Sequence, residues 1–415
     1  MTERTTGARR CRFCDAELTR TFVDLGRSPL ANSLLSADDI DRSEATYPLH
    51  VYVCERCLLV QVQEFAPAAD IFNDYLYFSS YSQLWLDHCR DYAGRMVERY
   101  RLDAASLVVE VASNDGYLLQ YFKQRGVGVL GIEPAANVAK VAHDKGIATE
   151  VAFFGAETAR RLRTAGKSAD LMTANNVLAH VPDLHDFVGG FKLLLKPHGT
   201  ATFEFPHLLR LIEEKQFDTI YHEHFSYFSL HVVDKLFARH GLRVYDVESL
   251  STHGGSLRIF ACHDDAPFAR TGDVDDMIAT ERAAGLHRIE GYAGFAKSVA
   301  DIKCELLGFL IEARNGGKSV VGYGAPAKAN TLLNYCGVGP ELLSYTVDIS
   351  PHKQGRYLPG VQIPIHAPDR IFETKPDFLL ILPWNIKEEI VARMAAIRQW
   401  GGRFVVPIPK LTISS

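Results

Sequence analysis

Two histidines, a glutamate and two tyrosines fall within eight residues, Tyr221-His222-Glu223-His224-Phe225-Ser226-Tyr227-Phe228, near the middle of a 415-residue chain. Titratable groups packed between aromatics suit proton transfer in a partly desolvated pocket, where burial moves pKa values toward neutrality. The stretch has no helical periodicity. An alternation of period two predicts Tyr221, Glu223 and Phe225 on one side and His222, His224 and Ser226 on the other. On the residues alone two other readings compete: a hydrogen-bonded histidine cluster that holds a loop, and a metal site on His222 and His224, for which no further ligand pair is at hand. A second reactive set lies near the N-terminus. Cys11-x-x-Cys14 and Cys54-x-x-Cys57 are separated by 39 residues and offer four thiolates, the donor set of a tetrahedral structural zinc site. With sulfur at all four positions no place is left for water, so this metal is not expected to catalyse. Cys89, Cys262, Cys304 and Cys336 are scattered and read as packing residues.

The elements that must position these groups follow from the periodicities. Residues 107–112 form an apolar, parallel-type strand that runs into Ser113-Asn114-Asp115-Gly116, followed by a helix over 117–124 and a second strand over 128–132 ending at Glu133. A strand, a tight turn, a helix and a second strand ending in an acid is a nucleotide-ribose geometry, with backbone close to the ligand at the turn and the carboxylate on the ribose hydroxyls. The turn lacks a full G-x-G-x-x-G, which disfavours a dinucleotide pyrophosphate. Glu110 and Asp115 point the same way, since acids repel phosphate but tolerate a sulfonium and an amino group. A strand over 169–173 delivers Asn175, Asn176 and His180 to the same carboxyl edge, where open α/β sheets bind ligands. A strand over 199–205, helices over 208–214 and 230–240, and strands over 242–249 and 256–263 complete a seven-stranded pattern around the histidine-rich stretch. Upstream, a helix is expected over 83–100, and the aromatic run 74–81 reads as a lid, with Tyr75 and Tyr77 offering phenols to a ligand.

After a charged helical connection over 275–313, the segment 319–330 repeats strand, Gly-rich turn and helix, with a further strand over 343–347 ending at Asp348. Its turn carries Gly322, Gly324 and Lys328, which suits a diphosphate held by backbone N–H groups and one cation, or plain packing. The chain therefore reads as α/β in three parts: a zinc-binding domain over 1–78, a Rossmann-like cofactor domain over 79–264, and a helical connection with a second Rossmann-like domain over 265–415. A net charge of −5 opposes nucleic-acid binding. No apolar run approaches the ~18 residues of a membrane span. The polar N-terminus lacks the apolar core of a signal peptide, so a cytoplasmic protein is expected.

The first turn resembles that of class I S-adenosylmethionine-dependent methyltransferases, with Ala112 and Ser113 where glycines are usual. The implied cofactor contacts are Glu110, Ala112, Asn114, Asp115, Gly116, Glu133, Asn175 and Asn176. The whole chain resembles the nucleotide-sugar C-methyltransferases of antibiotic deoxysugar pathways, through C-x2-C twice, E-V-A-S-N-D-G, G-I-E-P, Y-H-E-H-F-S-Y, H-G-G-S-L-R and G-Y-G-A-P-A-K-A-N. That resemblance implies methylation at C3 of a dTDP-3-amino-4-keto-2,3,6-trideoxyhexose, through an enolate formed α to the C4 ketone. It also implies His224 as general base, Glu223 orienting it, and Tyr221 and His180 as polar partners of the ketone. Tyr75, Tyr77, His253, Arg258, Gly322, Gly324 and Lys328 would contact the sugar nucleotide. A nicotinamide oxidoreductase, a zinc-ribbon RNA-binding protein on a degenerate methyltransferase fold, and an O- or N-methyltransferase are the competing functions.

Overall fold

The computed structural model describes residues 9–65, 79–81 and 83–414, so Tyr75 and Tyr77 lie outside the described residues. Strands β1 (Arg20–Ser28) and β2 (Tyr47–Val53) pair antiparallel. The alternation over 49–63 is interrupted at Cys54, because the second cysteine turn separates β2 from β3 (Val60–Val62). Helix α1 (Gln83–Tyr100) buries Cys89, Tyr92, Ala93 and Met96, a spacing that puts all four on one stripe.

The next segments are β4 (Leu107–Val111), α2 (Leu119–Lys123), β5 (Gly128–Ile132), β6 (Thr149–Glu150), β7 (Ala169–Asn175), β8 (Leu195–Pro206), β9 (Ser226–Tyr227), β10 (Leu242–Leu250) and β11 (Ser256–His263). Seven of these form one sheet in the order β10-β11-β8-β7-β4-β5-β6. The strands from β8 to β6 run parallel, while β11 is antiparallel to both β8 and β10. The central strands are apolar and buried on both faces, as a helix-covered parallel sheet requires. Tyr92 of α1 shares one core with Val108, Leu118 and Phe122.

The rest of the chain provides α3 (Phe295–Asn315), β12 (Val320–Tyr323), α4 (Ala327–Cys336), β13 (Thr346–Val347), β14 (Ile365–His366), β15 (Phe378–Ile381), β16 (Arg403–Val406) and β17 (Thr412–Ser414). These strands form a second sheet in the order β14-β13-β12-β15-β16-β17, parallel except for β17. The molecule divides into two compact units, and neither is continuous in sequence. One holds Met1–Leu18, Cys54–His207 and Phe225–Gly291; the other holds Thr19–Val53, Leu208–His224 and Tyr292–Ser415. Within the second unit, Phe22 of β1 stacks on Phe295 of α3 with centroids 4.5 Å apart, a contact worth about 1 kcal/mol beyond burial.

The Tyr221–His224 segment is a turn, not an alternating strand. The His224 N–H donates to Tyr221 O at 2.9 Å, which brings together two side chains that period two would have put on opposite faces. Pairing begins only at β9, after the chain has passed from the second unit to the first.

Candidate active site

The four cysteines lie in the first unit, with their sulfurs all within 4.8 Å of one another. Cys11 Sγ is 3.5 Å from Cys57 Sγ, and Cys14 Sγ is 3.5 Å from Cys54 Sγ, close to the ~3.8 Å edge of a tetrahedron of zinc-bound sulfurs. The two turns are built alike. Asp15 N–H donates to Cys11 O and Leu58 N–H to Cys54 O, while the N–H groups of Cys11 and Cys54 donate to Ala16 O and Leu59 O. Asp15 and Leu58 both take left-handed φ, 58° and 69°, which closes each turn. Gln61 is fully buried and donates from Nε2 to Cys11 Sγ at 3.2 Å, fixing a ligand from outside. This donor set fits zinc.

The nucleotide-type edge is in the same unit. After β4 the backbone is left-handed at Ala112 (54°), Asn114 (48°) and Gly116 (76°). Two of these three are not glycine, so the turn holds strain of the kind that collects at functional sites. Glycine is needed at 116, because a Cβ there would lie 2.4 Å from Ile147 Cδ1. Glu133 follows β5 and accepts from Asn114 N–H through Oε2 and from Ala135 N–H through Oε1, both at 2.9 Å. Burial raises its pKa against those two bonds. Each oxygen keeps a lone pair for a ribose hydroxyl, so the acid fits the nucleoside of S-adenosylmethionine. Asn175 ends β7, and Asn176 is left-handed at 56° with its N–H on Glu204 O. His180 ends the short helical turn Leu178–His180 on the same edge and is half-buried.

Glu110 and Asp115 are placed differently from an open ligand contact. Glu110 is fully buried, and desolvation raises its pKa well above the carboxylate range. Asp115 Oδ2 takes Lys145 Nζ at 3.1 Å and the hydroxyl of Ser80, so it ties the turn to its neighbours. Arg258 has no exposed surface: its guanidinium meets Glu204 (2.8 Å), Glu248 (3.1 Å) and His88 (2.9 Å) and lies over Tyr92. That is a framework role rather than a substrate contact. Burial would raise the pKa of Glu204, but the His88 hydrogen bond and the Arg258 charge hold it down at about 2. Glu204 Oε1 accepts from Thr252 at 2.7 Å and anchors the His253 turn. His253 is exposed and left-handed at 54°, with its ring edge-on to Trp85.

The proton-transfer cluster is in the second unit. His224 Nδ1 lies 2.8 Å from Thr219 O, and since a carbonyl only accepts, Nδ1 carries the proton. Nε2 then carries the lone pair, which accepts from the Tyr221 hydroxyl at 2.9 Å. Thr219 and Tyr221 orient the imidazole, while Glu223 accepts from Asn32 at 2.6 Å. Burial pushes the Glu223 carboxyl up to about 7, against the Asn32 hydrogen bond. His222 donates from Nε2 to Pro48 O at 3.2 Å, and burial lowers its pKa. Among the described residues no group of three or more His, Cys, Asp and Glu ligand atoms gathers at His222 and His224, so the metal reading finds no ligand set there. Nearby in sequence, Asp218 is fully buried and accepts from Trp384 Nε1 at 2.7 Å. Desolvation raises its pKa to about 6.

In the second Gly-rich turn, packing explains both glycines. A Cβ at Gly322 would lie 2.7 Å from Thr346 Oγ1, and one at Gly324 (φ 91°) would lie 2.6 Å from Pro383 Cδ. Lys328 Nζ donates to Asn385 Oδ1 and lies 4.5 Å from the Trp384 ring centroid. Sequence reasoning missed Asn32, Thr219, Asp218, His88 and Glu204, which carry no motif.

Three family models match the chain: a zinc binding domain over 11–72, a methyltransferase domain over 85–247 and a C-methyltransferase C-terminal domain over 251–409. The C-methyltransferase NovU of Streptomyces niveus is 38% identical over 405 residues, covering 98% of this chain and 96% of its own length. Among solved structures, magnesium protoporphyrin IX methyltransferase from Synechocystis PCC 6803 with bound SAH aligns at 14% identity over 47% of this chain and 91% of its own, with a TM-score of 0.34. An S-adenosylmethionine-dependent methyltransferase from Clostridium acetobutylicum ATCC 824 aligns at 11% identity over 43% and 92%, with a TM-score of 0.36.

Proposed function

The chain belongs to the C-methyltransferase family, and from that premise we propose that it methylates C3 of a dTDP-3-amino-4-keto-2,3,6-trideoxyhexose. The family makes it an S-adenosylmethionine-dependent enzyme of class I fold with a four-cysteine zinc domain. The Y-H-E-H-F-S-Y and H-G-G-S-L-R motifs resemble those of the nucleotide-sugar C-methyltransferases, and within that family the chain resembles the C-3′-methyltransferase of the tetronitrose branch of tetrocarcin biosynthesis. S-adenosylmethionine supplies an electrophilic methyl, and Glu133, Asn114, Gly116, Asn175 and Asn176 would hold it.

The chain's own residues must make a carbon nucleophilic. A proton on C3 is acidic only because the C4 ketone delocalises the charge left behind, so the site needs a base and a donor acting together. The observation that carries the reading is the fixed tautomer of His224. With Nδ1–H committed to Thr219 O, the lone pair of Nε2 takes the C3 proton. The Tyr221 hydroxyl, which rests on Nε2, donates to the enolate oxygen once that lone pair is used. His180 is the second polar partner of the ketone, and His253 and Lys328 contact the nucleotide sugar. No membrane or nucleic-acid partner enters this reading; among the described residues no helix is long and apolar enough to cross a membrane.

Mass spectrometry of dTDP-4-keto sugars incubated with enzyme and S-adenosylmethionine tests the proposal, with a gain of one methyl on C3 expected. His224→Asn should retain substrate binding and lose about 10²–10⁴ in turnover. Solvent deuterium entering C3 without methyl donor separates C-methylation from O- or N-methylation, which needs no such exchange. A variant keeping more than about a tenth of the rate would place the base elsewhere.

A further inference from the structure

We infer that the carboxyl edge of the second sheet is a nucleoside site in which Asp348 accepts a pentose hydroxyl. The inference rests on the proposed nucleotide-sugar substrate for the source of that pentose. The argument starts from a bond-by-bond repetition between the two units. In the first, Ser113 N–H donates to Ile132 O and Asn114 N–H to Glu133 Oε2; in the second, Gly324 N–H donates to Val347 O and Ala325 N–H to Asp348 Oδ2, at 2.6 and 2.8 Å. Ala135 N–H reaches the other oxygen of Glu133, and Ser350 N–H the other oxygen of Asp348, each at 2.9 Å. The next strand repeats as well: Glu133 N–H donates to Glu150 O, and Asp348 N–H to His366 O. The acid after the second strand thus has the same backbone partners in both units.

The chemistry of that edge selects its ligand. A phosphate cradle needs free N–H groups and no adjacent anion. Here the Ala325 N–H is taken by a carboxylate, which would itself repel a diphosphate. Lys353 Nζ is spent on Ala325 O at 2.9 Å and lies 3.7 Å from Asp348 Oδ2. The diphosphate reading of Gly322 and Gly324 therefore gives way. A carboxylate whose two oxygens each accept one backbone N–H keeps one lone pair on each, and those accept hydroxyls. Asp348 retains 9% of its surface, more than the 5% of Glu133, so the acid is reachable. A thymidine nucleotide presents one such hydroxyl, at the 3′ position, and an adenosyl group presents two.

Calorimetric titration of the zinc-loaded full chain with TDP, with 2′,3′-dideoxythymidine diphosphate and with S-adenosylhomocysteine tests this. A charge-assisted hydrogen bond predicts that the native chain binds TDP at least about tenfold more tightly than the dideoxy analogue. Asp348→Asn should shrink that ratio to within about twofold while the affinity for S-adenosylhomocysteine holds. Two equivalents of S-adenosylhomocysteine, one of them lost in Asp348→Asn, would instead make the adenosyl group the occupant of the same edge. Equal affinity of the native chain for TDP and its dideoxy analogue, with a single equivalent of S-adenosylhomocysteine, overturns the inference without any variant. So does a ratio that survives Asp348→Asn. Because binding is read without turnover, a chain that discriminates the 3′-hydroxyl yet methylates no ketosugar keeps this inference and loses the proposed reaction.

Discussion

Replacing Glu223 by Gln should stabilise the protein at pH 8 and leave it nearly unchanged at pH 5. Glu223 is 4% exposed, and burial lifts its carboxyl from the ordinary 4.5 to about 7. A raised carboxyl pKa means that the folded chain prefers the neutral acid. Its contribution is fully present below about pH 4.5 and is lost as pH rises toward 7 and the buried group must ionise. Over that interval the displacement amounts to about 3 kcal/mol of destabilisation at pH 8, and to less than about 1 kcal/mol at pH 5. Gln removes the ionisation and keeps a carbonyl for the Asn32 amide, which donates at 2.6 Å. Thermal unfolding followed by circular dichroism, native against Glu223→Gln at both pH values, reads the difference. At about 2–4 °C per kcal/mol, the variant should gain several degrees at pH 8. Equal shifts at pH 5 and pH 8 would refute the argument, because a packing change has no such dependence. A variant less stable at pH 8 would mean that the carboxylate is ionised and paired in the folded chain.

Three other outcomes follow from the same geometry. Tyr221→Phe removes the donor to His224 Nε2 and, in the proposed reaction, to the enolate; kcat should fall by about 10²–10³ with KM little changed, measured by steady-state methyl transfer. Metal analysis should find one zinc per chain, and Cys54→Ser should release it and lower the first thermal transition, since four sulfurs within 4.8 Å need a cation to hold them together. Arg258→Met leaves Glu204 buried without its guanidinium and should cost about 3–5 kcal/mol in urea unfolding, much of it recovered in the double variant with Glu204→Gln. A double variant no more stable than Arg258→Met would show that the loss lies in packing against Tyr92.

The parts of this protein that were legible in its sequence are those set by neighbours in the chain. The helix over 83–100 and the strand over 128–132 have the predicted bounds, because periodicity and flanking residues determine them. Glu133 was readable as a ribose acid for the same reason: strand, turn, helix and acid lie within thirty or so residues. The Tyr221–His224 turn was not readable, since Asn32, Pro48 and Thr219 complete it and two of those lie more than 170 residues upstream. Nor could the sequence show that Thr19–Val53, which lies between the two cysteine pairs, belongs with the C-terminal sheet.

The second Gly-rich turn shows the limit most clearly. A glycine in a sequence reports that a Cβ does not fit there, not what fills the space. At 322 and 324 the filler is Thr346 and Pro383, whereas at 116 it is Ile147 beneath a turn that still faces the ligand edge. The acid directly after the next strand is the better guide in both units, because its hydrogen bonds to the turn leave lone pairs that only a donor ligand can use.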